Sequence, residues 1–418
     1  MLLLSYSDGG GGAGRAAYRL LQGLRAQGLG AQMAALDPVT GDPAVEGPQT
    51  RLGSLIGPLR SSLDRLPLGL VMRGPRPMFS PAWLPDRLVR QVRRSAPDLV
   101  HLHWIAGGML RIESLARIGR PVVWTMHDMW AFTGGCHYDE GCGRYVAACG
   151  RCPVLGSSRE RDLSSWVMRR KRRAWREVPI TLVAPSRWLA EKARAASLFR
   201  GRPVRAIPNG LDLDRFQPVD PGLARRLLGV PPERSYLLFG AFDPAGERRK
   251  GFGLLQAALQ HLAGSGWRDR LDLLVVGASA PAAPLDLGLR THFLGLLRDE
   301  LGVALALAAA DVVVVPSTQD NLPNMAVEAF ACGRPCVGFA VGGLPEIVDD
   351  GLNGRLAPPF ETGELAAAIA WVLEDQERRR ALGRAARQKA ERTFDLRLVA
   401  RRYAELYAEV LDVTRRSG

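Results

Sequence analysis

Short apolar runs alternate with helical segments along this chain, and the alternation occurs in two successive series. The first series has apolar runs at residues 2–5, 98–104, 121–127 and 180–186. The second has runs at residues 235–239, 271–276, 291–294, 311–316 and 335–339. Apolar strands that alternate with helices are typical of a parallel sheet wrapped by helices. The sequence therefore predicts an α/β protein with two doubly wound domains.

The boundaries of the domains follow from where the second series begins. A chain of 418 residues is long enough for two domains of ordinary size. We predict an N-terminal domain over 1–205, a C-terminal domain over 206–394 and an amphipathic helix over 395–418. This helix either packs on its own domain or crosses back to the first one. Doubly wound sheets bind ligands at the carboxyl ends of their strands, so we expect the site in a cleft between the domains.

The composition is that of a folded, soluble protein, with 47% hydrophobic and 23% charged residues. The apolar runs are too short to cross a bilayer and the first residues lack a signal-peptide pattern, so we expect a cytoplasmic protein. The net charge is +14, and basic residues are dense at 169–176. This cluster is either a solvated helix face or a contact with anionic lipid or a polyprenyl-phosphate acceptor at the inner membrane face. Nucleic acid is disfavoured, because no nucleic-acid-binding motif accompanies the charge.

A glycine-rich stretch follows the first apolar run. Residues 9–14 contain the pattern G-x-G-x-x-G between a predicted strand and a predicted helix. Backbone N–H groups at such a helix start suit a phosphate. Asp37 falls roughly where a dinucleotide-dependent oxidoreductase carries its ribose-binding acid, so that class is a rival hypothesis. A tight turn without a ligand is the third interpretation.

The most specific stretch is Val312 to Glu346. Its strand delivers Pro316 and Ser317 to the strand end, and a short loop then opens a helix. Asp320 precedes that loop and Glu328 lies about one turn into the helix. N–H groups at the helix start can hold sugar hydroxyls or phosphate oxygens. The two acids can accept hydrogen bonds from hydroxyls on two parts of one ligand, or they can simply stabilise the helix dipole.

This stretch resembles the E-x7-E signature of family-4 glycosyltransferases, which have the GT-B fold. Here the first acid is Asp320 and the second is Glu328. Further segments resemble family motifs in the same order, namely Gly11-Gly12, Thr125-Met126-His127, Ala184-Pro185-Ser186, residues 207–212 and Arg249-Lys250-Gly251. Segments around His103-Trp104, His127–Trp130 and Gly135–His137 resemble a subgroup that builds bacterial exopolysaccharides of the colanic-acid type.

The resemblance implies two Rossmann-like domains facing a central cleft. It also implies transfer of a hexose, with retention of configuration and without a catalytic metal, from a UDP- or GDP-sugar to a lipid-linked or oligosaccharide acceptor. By analogy the donor-binding residues are Gly12, Arg249, Lys250, Asp320, Asn321, Leu322 and Glu328. The catalytic residues are His127, Lys250 and Asp320, and the acceptor contacts are His103 and Trp104. A non-catalytic nucleotide-sugar-binding protein and the oxidoreductase remain alternatives.

Two positions depart from the family pattern. Asp320 is one methylene shorter than the usual Glu. Its carboxylate either reaches the sugar through a shift of the loop or binds the donor more weakly. Ala241 follows Gly240 where many members have Arg. The nearby Arg248 or Arg249 can take over that positive charge.

Four of the six cysteines fall within seventeen consecutive residues, at Cys136, Cys142, Cys149 and Cys152. The last pair has the C-x2-C spacing of a zinc half-site, so the sequence predicts a structural zinc site. His137 can replace one ligand. Reduced cysteines without a metal are the second interpretation, and a disulfide or redox pair is the third, because the cytoplasm disfavours disulfides.

Overall fold

The structure is a computed structural model, and it describes residues 1–48, 57, 59–72, 77–240, 247–279, 287–297 and 299–417. The chain divides into two compact units. Unit 1 consists of Met1–Gly210 together with Arg397–Gly418, and unit 2 consists of Leu211–Leu396. Among the described residues, none of the helices is both long enough and apolar enough to cross a membrane.

Each unit is built on a parallel sheet. The strands of unit 1 are β1 (Leu2–Ser7), β2 (Gln32–Asp37), β3 (Val45–Glu46), β4 (Val100–Leu102), β5 (Val122–Thr125), β6 (Ile180–Ala184) and β7 (Val204–Ala206), in the order β3-β2-β1-β4-β5-β6-β7. The strands of unit 2 are β8 (Ser235–Gly240), β9 (Leu271–Val276), β10 (Arg290–Phe293), β11 (Val312–Val315), β12 (Cys336–Phe339) and β13 (Gly354–Ala357), in the order β10-β9-β8-β11-β12-β13. These two sheets confirm the predicted pair of doubly wound, Rossmann-like folds.

Helices cover the sheets. They are α1 (Gly11–Ala26), α2 (Arg60–Asp64), α3 (Leu88–Ser95), α4 (Leu163–Trp175), α5 (Arg187–Ala195), α6 (Pro221–Leu227), α7 (Phe252–Leu262), α8 (Glu300–Ala309), α9 (Asn324–Ala331), α10 (Leu344–Ile347), α11 (Thr362–Glu374), α12 (Gln376–Thr393) and α13 (Leu396–Ser417). Side-chain caps fix several starts. Ser186 accepts a hydrogen bond from the N–H of Leu189 at 3.1 Å, and Asp299 accepts one from Gly302 at 2.6 Å.

The glycine-rich stretch differs from its predicted form. Gly11 to Gly14 are not a loop but the first turn of α1, whose N-cap is Gly10. A Cβ atom on Gly14 would lie 2.8 Å from the carbonyl oxygen of Ser7. Glycine is required there because the helix starts in close contact with the end of β1.

The C-terminal helix α13 belongs to unit 1. Val399, Tyr403 and Tyr407 are buried in one hydrophobic cluster with Leu3 and Val123 of that sheet. Of the two alternatives for this helix, the structure shows the one in which it crosses back to the first domain, so unit 1 combines Met1–Gly210 with Arg397–Gly418.

Candidate active site

Three of the predicted donor residues meet at the carboxyl edge of the unit 2 sheet. Asp320 lies in the loop between β11 and α9 and is 8% exposed. The Nζ of Lys250 donates a hydrogen bond to Asp320 Oδ2 at 2.8 Å, and Arg249 Nη1 lies 3.1 Å from the same oxygen. One carboxylate oxygen therefore holds two cations.

A tight turn carries these cations. Arg248–Lys250 form a short 3-10 turn, and Gly251 follows it with a φ of 72°. A Cβ atom at Gly251 would lie 1.9 Å from the carbonyl oxygen of Pro316. The N–H of Thr318 donates to the carbonyl oxygen of Arg249 at 2.8 Å. The turn and the loop after β11 are thus locked together, and only glycine allows the approach.

The loop after β12 completes this arrangement. The N–H of Gly343 donates to the carbonyl oxygen of Asp320 at 3.0 Å, and a Cβ atom at Gly342 would lie 2.0 Å from that oxygen. Because β11 lies between β8 and β12 in the sheet, the segments that follow these three strands converge on Asp320.

The charges at this point determine the protonation of the acid. Burial by itself raises the pKa of Asp320, but Lys250 and Arg249 outweigh burial and lower that pKa to about 2. Asp320 is therefore ionised at neutral pH. The side chains of Lys250 and Arg249 remain 27% and 21% exposed, so an incoming anion can contact them.

The other predicted donor residues surround Asp320 or lie nearby on α9. The N–H of Asn321 donates to Asp320 Oδ1 at 2.9 Å, and Leu322 is 7% exposed. Glu328 lies on α9 and is 1% exposed in this ligand-free structure. Ala241 lies outside the described residues.

The predicted residues of unit 1 lie at the ends of its central strands. His103 follows β4 and His127 follows β5, and these strands are neighbours. His103 Nδ1 and His127 Nε2 lie 3.0 Å apart. Burial lowers the pKa of His127 to about 4, against the opposing effect of Asp128, and lowers that of His103 well below its usual value. Both rings are neutral at pH 7. One of the two facing nitrogens therefore carries the proton and donates it in a hydrogen bond to the other.

A second network orients Trp104. Its indole Nε1 donates to Asp128 Oδ2 at 2.8 Å, and His137 Nδ1 lies 2.6 Å from the same oxygen. The imidazole of His137 stacks on Trp104 with ring centroids 5.3 Å apart, and its Nε2 lies 3.0 Å from Ser80 Oγ. Burial would raise the pKa of Asp128, but His137 and the hydrogen bonds to the carboxylate lower it. The sequence singled out His137 but did not connect it with Asp128 or Ser80.

The contacts in the layer behind the histidine pair were not predicted from the sequence. His101 is fully buried, with Nδ1 2.7 Å from the hydroxyl of Tyr407 and Nε2 2.8 Å from Thr125 Oγ1. Thr125 Oγ1 in turn lies 2.8 Å from the hydroxyl of Tyr403. The signal for these contacts was weak, because two tyrosines on an amphipathic helix read as ordinary core residues.

Gly12, the predicted contact to the donor from unit 1, is exposed in the first turn of α1. This is where a helix presents N–H groups outward. The position agrees with an anion site at a helix start, although the glycines themselves are helical.

The predicted zinc site stays a prediction. Among the described residues, no group of three or more His, Cys, Asp or Glu side chains is placed to hold a metal. The four cysteines carry free thiols, and Cys136 and Cys152 are buried in the hydrophobic core of unit 1. Burial raises the pKa of Cys136 well above its usual value and that of Cys149 to about 11. His137 is not a substitute ligand, because Asp128 and Ser80 occupy both of its ring nitrogens.

The basic cluster at 169–176 does not form one uniform face. Lys171 is fully buried, where its Nζ donates to the carbonyl oxygens of Trp130 and, at 3.1 Å, of Thr133. Arg170 pairs with Glu113 at 2.7 Å. The exposed members are Arg169, Arg172, Arg173 and Arg176.

Comparison with known proteins identifies the family. Residues 10–215 match the family described as Glycosyltransferase Family 4, and residues 233–375 match Glycosyl transferases group 1. D-inositol 3-phosphate glycosyltransferase 2 of Catenulispora acidiphila is 34% identical over 333 residues, covering 75% of this chain and 71% of the relative. The chain therefore belongs to family 4 of the glycosyltransferases.

Other matches add detail to this assignment. D-inositol 3-phosphate glycosyltransferase of Geodermatophilus obscurus is 41% identical over 213 residues, so the similarity spans 46% of each chain, about half the length of that relative. Among solved structures, sucrose-phosphate synthase from Thermosynechococcus elongatus is 22% identical, with a TM-score of 0.71 and 99% of both chains covered. Anabaena HepE in complex with UDP-glucose is 21% identical, with a TM-score of 0.65 over 98% of this chain and 99% of the other. These two structures share the GT-B fold.

Proposed function

We propose that this protein is a retaining glycosyltransferase. It moves a hexose from a UDP- or GDP-sugar to a lipid-linked or oligosaccharide acceptor, in the synthesis of a bacterial exopolysaccharide or cell-surface glycan. The observation that carries the proposal is the pair of cations, Arg249 and Lys250, held on Asp320 at the strand ends of unit 2. Membership of the family supports transfer, and the UDP-glucose complex of HepE supports a UDP-sugar donor.

The chemistry follows from the charges. The bond between the anomeric carbon and a diphosphate oxygen breaks, and the departing nucleoside diphosphate gains negative charge. A bond forms between the anomeric carbon and the oxygen of an acceptor hydroxyl, whose proton passes to a phosphate oxygen of the leaving group. Fixed cations stabilise that charge most in the transition state. Before the donor binds, Asp320 keeps Lys250 and Arg249 in position. The donor diphosphate then contacts the exposed sides of both cations, while Asp320 contacts the transferred sugar and Glu328 the ribose.

Unit 1 supplies the residues proposed for the reacting sugar and the acceptor. His127 is neutral at pH 7 because burial lowers its pKa, so it can accept or orient a sugar hydroxyl without adding charge. Gly12 offers its backbone at the start of α1. His103 and Trp104 are proposed acceptor contacts, and the bond from Trp104 to Asp128 fixes the indole.

Two features bear on the acceptor. The relatives named D-inositol 3-phosphate glycosyltransferase suggest a phosphorylated polyol as another acceptor class. The exposed arginines of α4 suggest peripheral contact with an anionic membrane surface, where a lipid-linked acceptor would be presented.

The test is a panel of UDP-glucose, UDP-galactose and GDP-mannose, with release of UDP or GDP measured for wild type and Lys250→Ala. We expect release from one donor, and a loss of about 100-fold or more in Lys250→Ala, because a fixed cation at the leaving group is absent. Asp320→Ala should lose turnover similarly. Lys192→Ala removes a lysine from α5 in unit 1 and serves as the control.

Each other result has a distinct meaning. Full turnover by Lys250→Ala would refute the assignment of the site. A donor that raises the melting temperature without any release favours a non-catalytic nucleotide-sugar-binding protein, in which Asp320 keeps the cations neutralised. A change in nicotinamide absorbance favours the oxidoreductase.

A further inference from the structure

Unit 2 contains a cavity far from the proposed donor residues. Its volume is about 840 Å³, within the range of small-molecule sites. Its lining includes Asp311, which precedes β11, and Pro335, which precedes β12, so the cavity lies at the amino edge of the sheet. Asp320 follows β11, at the opposite edge. The cavity is therefore separate from the donor site of the proposed function.

The charge of this cavity is strongly positive. Six arginines line it, namely Arg225, Arg334, Arg379, Arg380, Arg384 and Arg387, against Asp220 and Asp311. Both aspartates are already engaged. Asp220 caps α6 by accepting from the N–H of Leu223 at 2.7 Å, and Asp311 pairs with Arg225 at 2.8 Å and with Arg379 at 3.4 Å. The excess positive charge is thus not neutralised from within the cavity. We name it the arginine cavity.

Several of the arginines are rigid. Arg225 Nε donates to the carbonyl oxygen of Ala309 at 3.0 Å, and Arg387 Nη1 donates to that of Phe216 at 2.7 Å. Arg334 Nη2 donates to the carbonyl oxygen of Val219 at 3.1 Å, but its Nε is buried and has no hydrogen-bond partner in the described part of the chain. A buried donor without a partner costs free energy.

Two further arginines are exposed on α12. Arg380 and Arg384 are one turn apart and both line the cavity. Neither forms an ion pair with any of the described residues, whereas Arg387 and Lys389 on the same helix pair with Glu391 and Asp349, both at 2.7 Å. Like charges at this spacing destabilise a helix slightly. An anion in the cavity would reverse that effect.

We propose that the arginine cavity binds a small polyanion that carries two or more phosphate groups, at a second site beyond the proposed function. Guanidinium groups bind phosphate through paired N–H donors in a planar fork, and the exposed Arg380 and Arg384 offer such donors to the ligand. Arg225, Arg334, Arg379 and Arg387 are held by bonds to the protein, so they form the walls and contribute positive charge.

The test is isothermal titration with sodium tripolyphosphate at low ionic strength. The measurements use the Lys250→Ala background, so that binding at the donor diphosphate site is weakened. We compare this parent with versions that also carry Arg380→Gln and Arg384→Gln, or Arg401→Gln and Arg402→Gln. The second pair removes the same charge from exposed positions on α13 in unit 1.

We expect one equivalent of tripolyphosphate to bind the parent, with affinity that falls as salt rises. Binding should weaken at least tenfold in Arg380→Gln/Arg384→Gln and stay unchanged in Arg401→Gln/Arg402→Gln. Melting temperatures equal to that of the parent show that each variant is folded. If the Arg380→Gln/Arg384→Gln protein melts at a lower temperature, the two single substitutions are measured in its place. Absence of binding, or equal weakening by both pairs, would overturn the proposal. Nucleotide-sugar turnover by wild type is a separate measurement, so the two proposals fail independently.

Discussion

Lys171 and Asp320 show at the residue scale how burial competes with neighbouring charge. Both are buried, and burial by itself favours the neutral form of each. Asp320 has two cations on one oxygen, and these keep it ionised with a pKa of about 2. Lys171 has two carbonyl oxygens and the faces of Trp130 and Trp175, and burial lowers its pKa to about 7. Two cations in contact with Asp320 outweigh burial, whereas the charge of Asp128 does not outweigh burial at Lys171.

The low pKa of Lys171 makes the stability of unit 1 depend on pH. Between pH 7 and the usual pKa near 10.5, the unfolded chain binds more protons at this lysine than the folded one. Stability should therefore rise with pH over this window, by up to about 1.4 kcal/mol per pH unit. The measurement is urea unfolding of wild type and Lys171→Met from pH 6 to pH 9.

Lys171→Met keeps a similar length and removes the titration, so other groups cancel in the comparison. The difference between the two proteins should shift in favour of wild type above pH 7 and level off below it. A difference that is independent of pH over the whole range would contradict the assignment of this pKa.

At the scale of the elements, the turn formed by Arg248–Lys250 depends on Gly251. Gly251→Ala should abolish turnover, because its Cβ atom would overlap the carbonyl oxygen of Pro316 and displace Arg249 and Lys250. Gly266 is the matched control. Its φ of 86° is also positive, but no atom lies within 4 Å of its added Cβ. Gly266→Ala should cost about 1 kcal/mol of strain and keep turnover. Equal turnover by the two variants would show that the contact with Pro316 is unimportant.

The helix α13 stabilises the network behind His103. Tyr407→Phe removes the hydroxyl 2.7 Å from the fully buried His101 Nδ1 and leaves that nitrogen without its partner. We expect a loss of about 1–3 kcal/mol in the free energy of unfolding of unit 1. Tyr18→Phe removes a partly buried hydroxyl that donates to Asp42 at 3.0 Å, and should cost less than about 1 kcal/mol. Urea unfolding compares the two variants, and a Tyr407→Phe protein as stable as Tyr18→Phe would disprove this role.

At the scale of the whole molecule, unit 1 needs both ends of the chain and unit 2 does not. A protein truncated after Asp395 lacks Val399, Tyr403 and Tyr407. Its unit 1 should lose protease resistance, while a fragment near residues 211–395 survives trypsin. Truncation after Asp412 removes only residues that are exposed or undescribed and should change neither unit. Loss of both units together, or of neither, would argue against this division.

How far the sequence predicts the elements depends on their burial. The central strands were found as apolar runs, and β9 was predicted with its observed bounds, Leu271–Val276. Three of the four edge strands, β3, β7 and β13, were missed, because a strand buried on fewer sides is short and need not be continuously apolar. The fourth edge strand, β10, was predicted at 291–294. The interior strand β2 was also missed. Its residues Gln32–Asp37 directly precede residues 38–85, which are rich in Pro and Gly and show no firm periodicity.

At the candidate site, local motifs predict which residues take part, but they do not predict the contacts between those residues. Lys250, Asp320 and Glu328 were predicted as site residues because their local motifs are specific. Their contacts were not, since Lys250 and Asp320 are 70 residues apart and meet through the order of the strands. The cysteines differ in this respect, because C-x2-C spacing predicts a zinc site, yet no group of three or more candidate ligands among the described residues is placed to hold a metal.

The sequence by itself determined the two parallel sheets, the family and the candidate residues for its chemistry. These are local properties, set by apolar periodicity, by glycines at close approaches and by short motifs. The tertiary structure decided that Asp320 holds two cations, that His101 bonds to Tyr407 across 306 residues and that arginines from separate elements line one cavity. Such pairings depend on strand order and on which helix faces meet, and apolar patterning leaves both open.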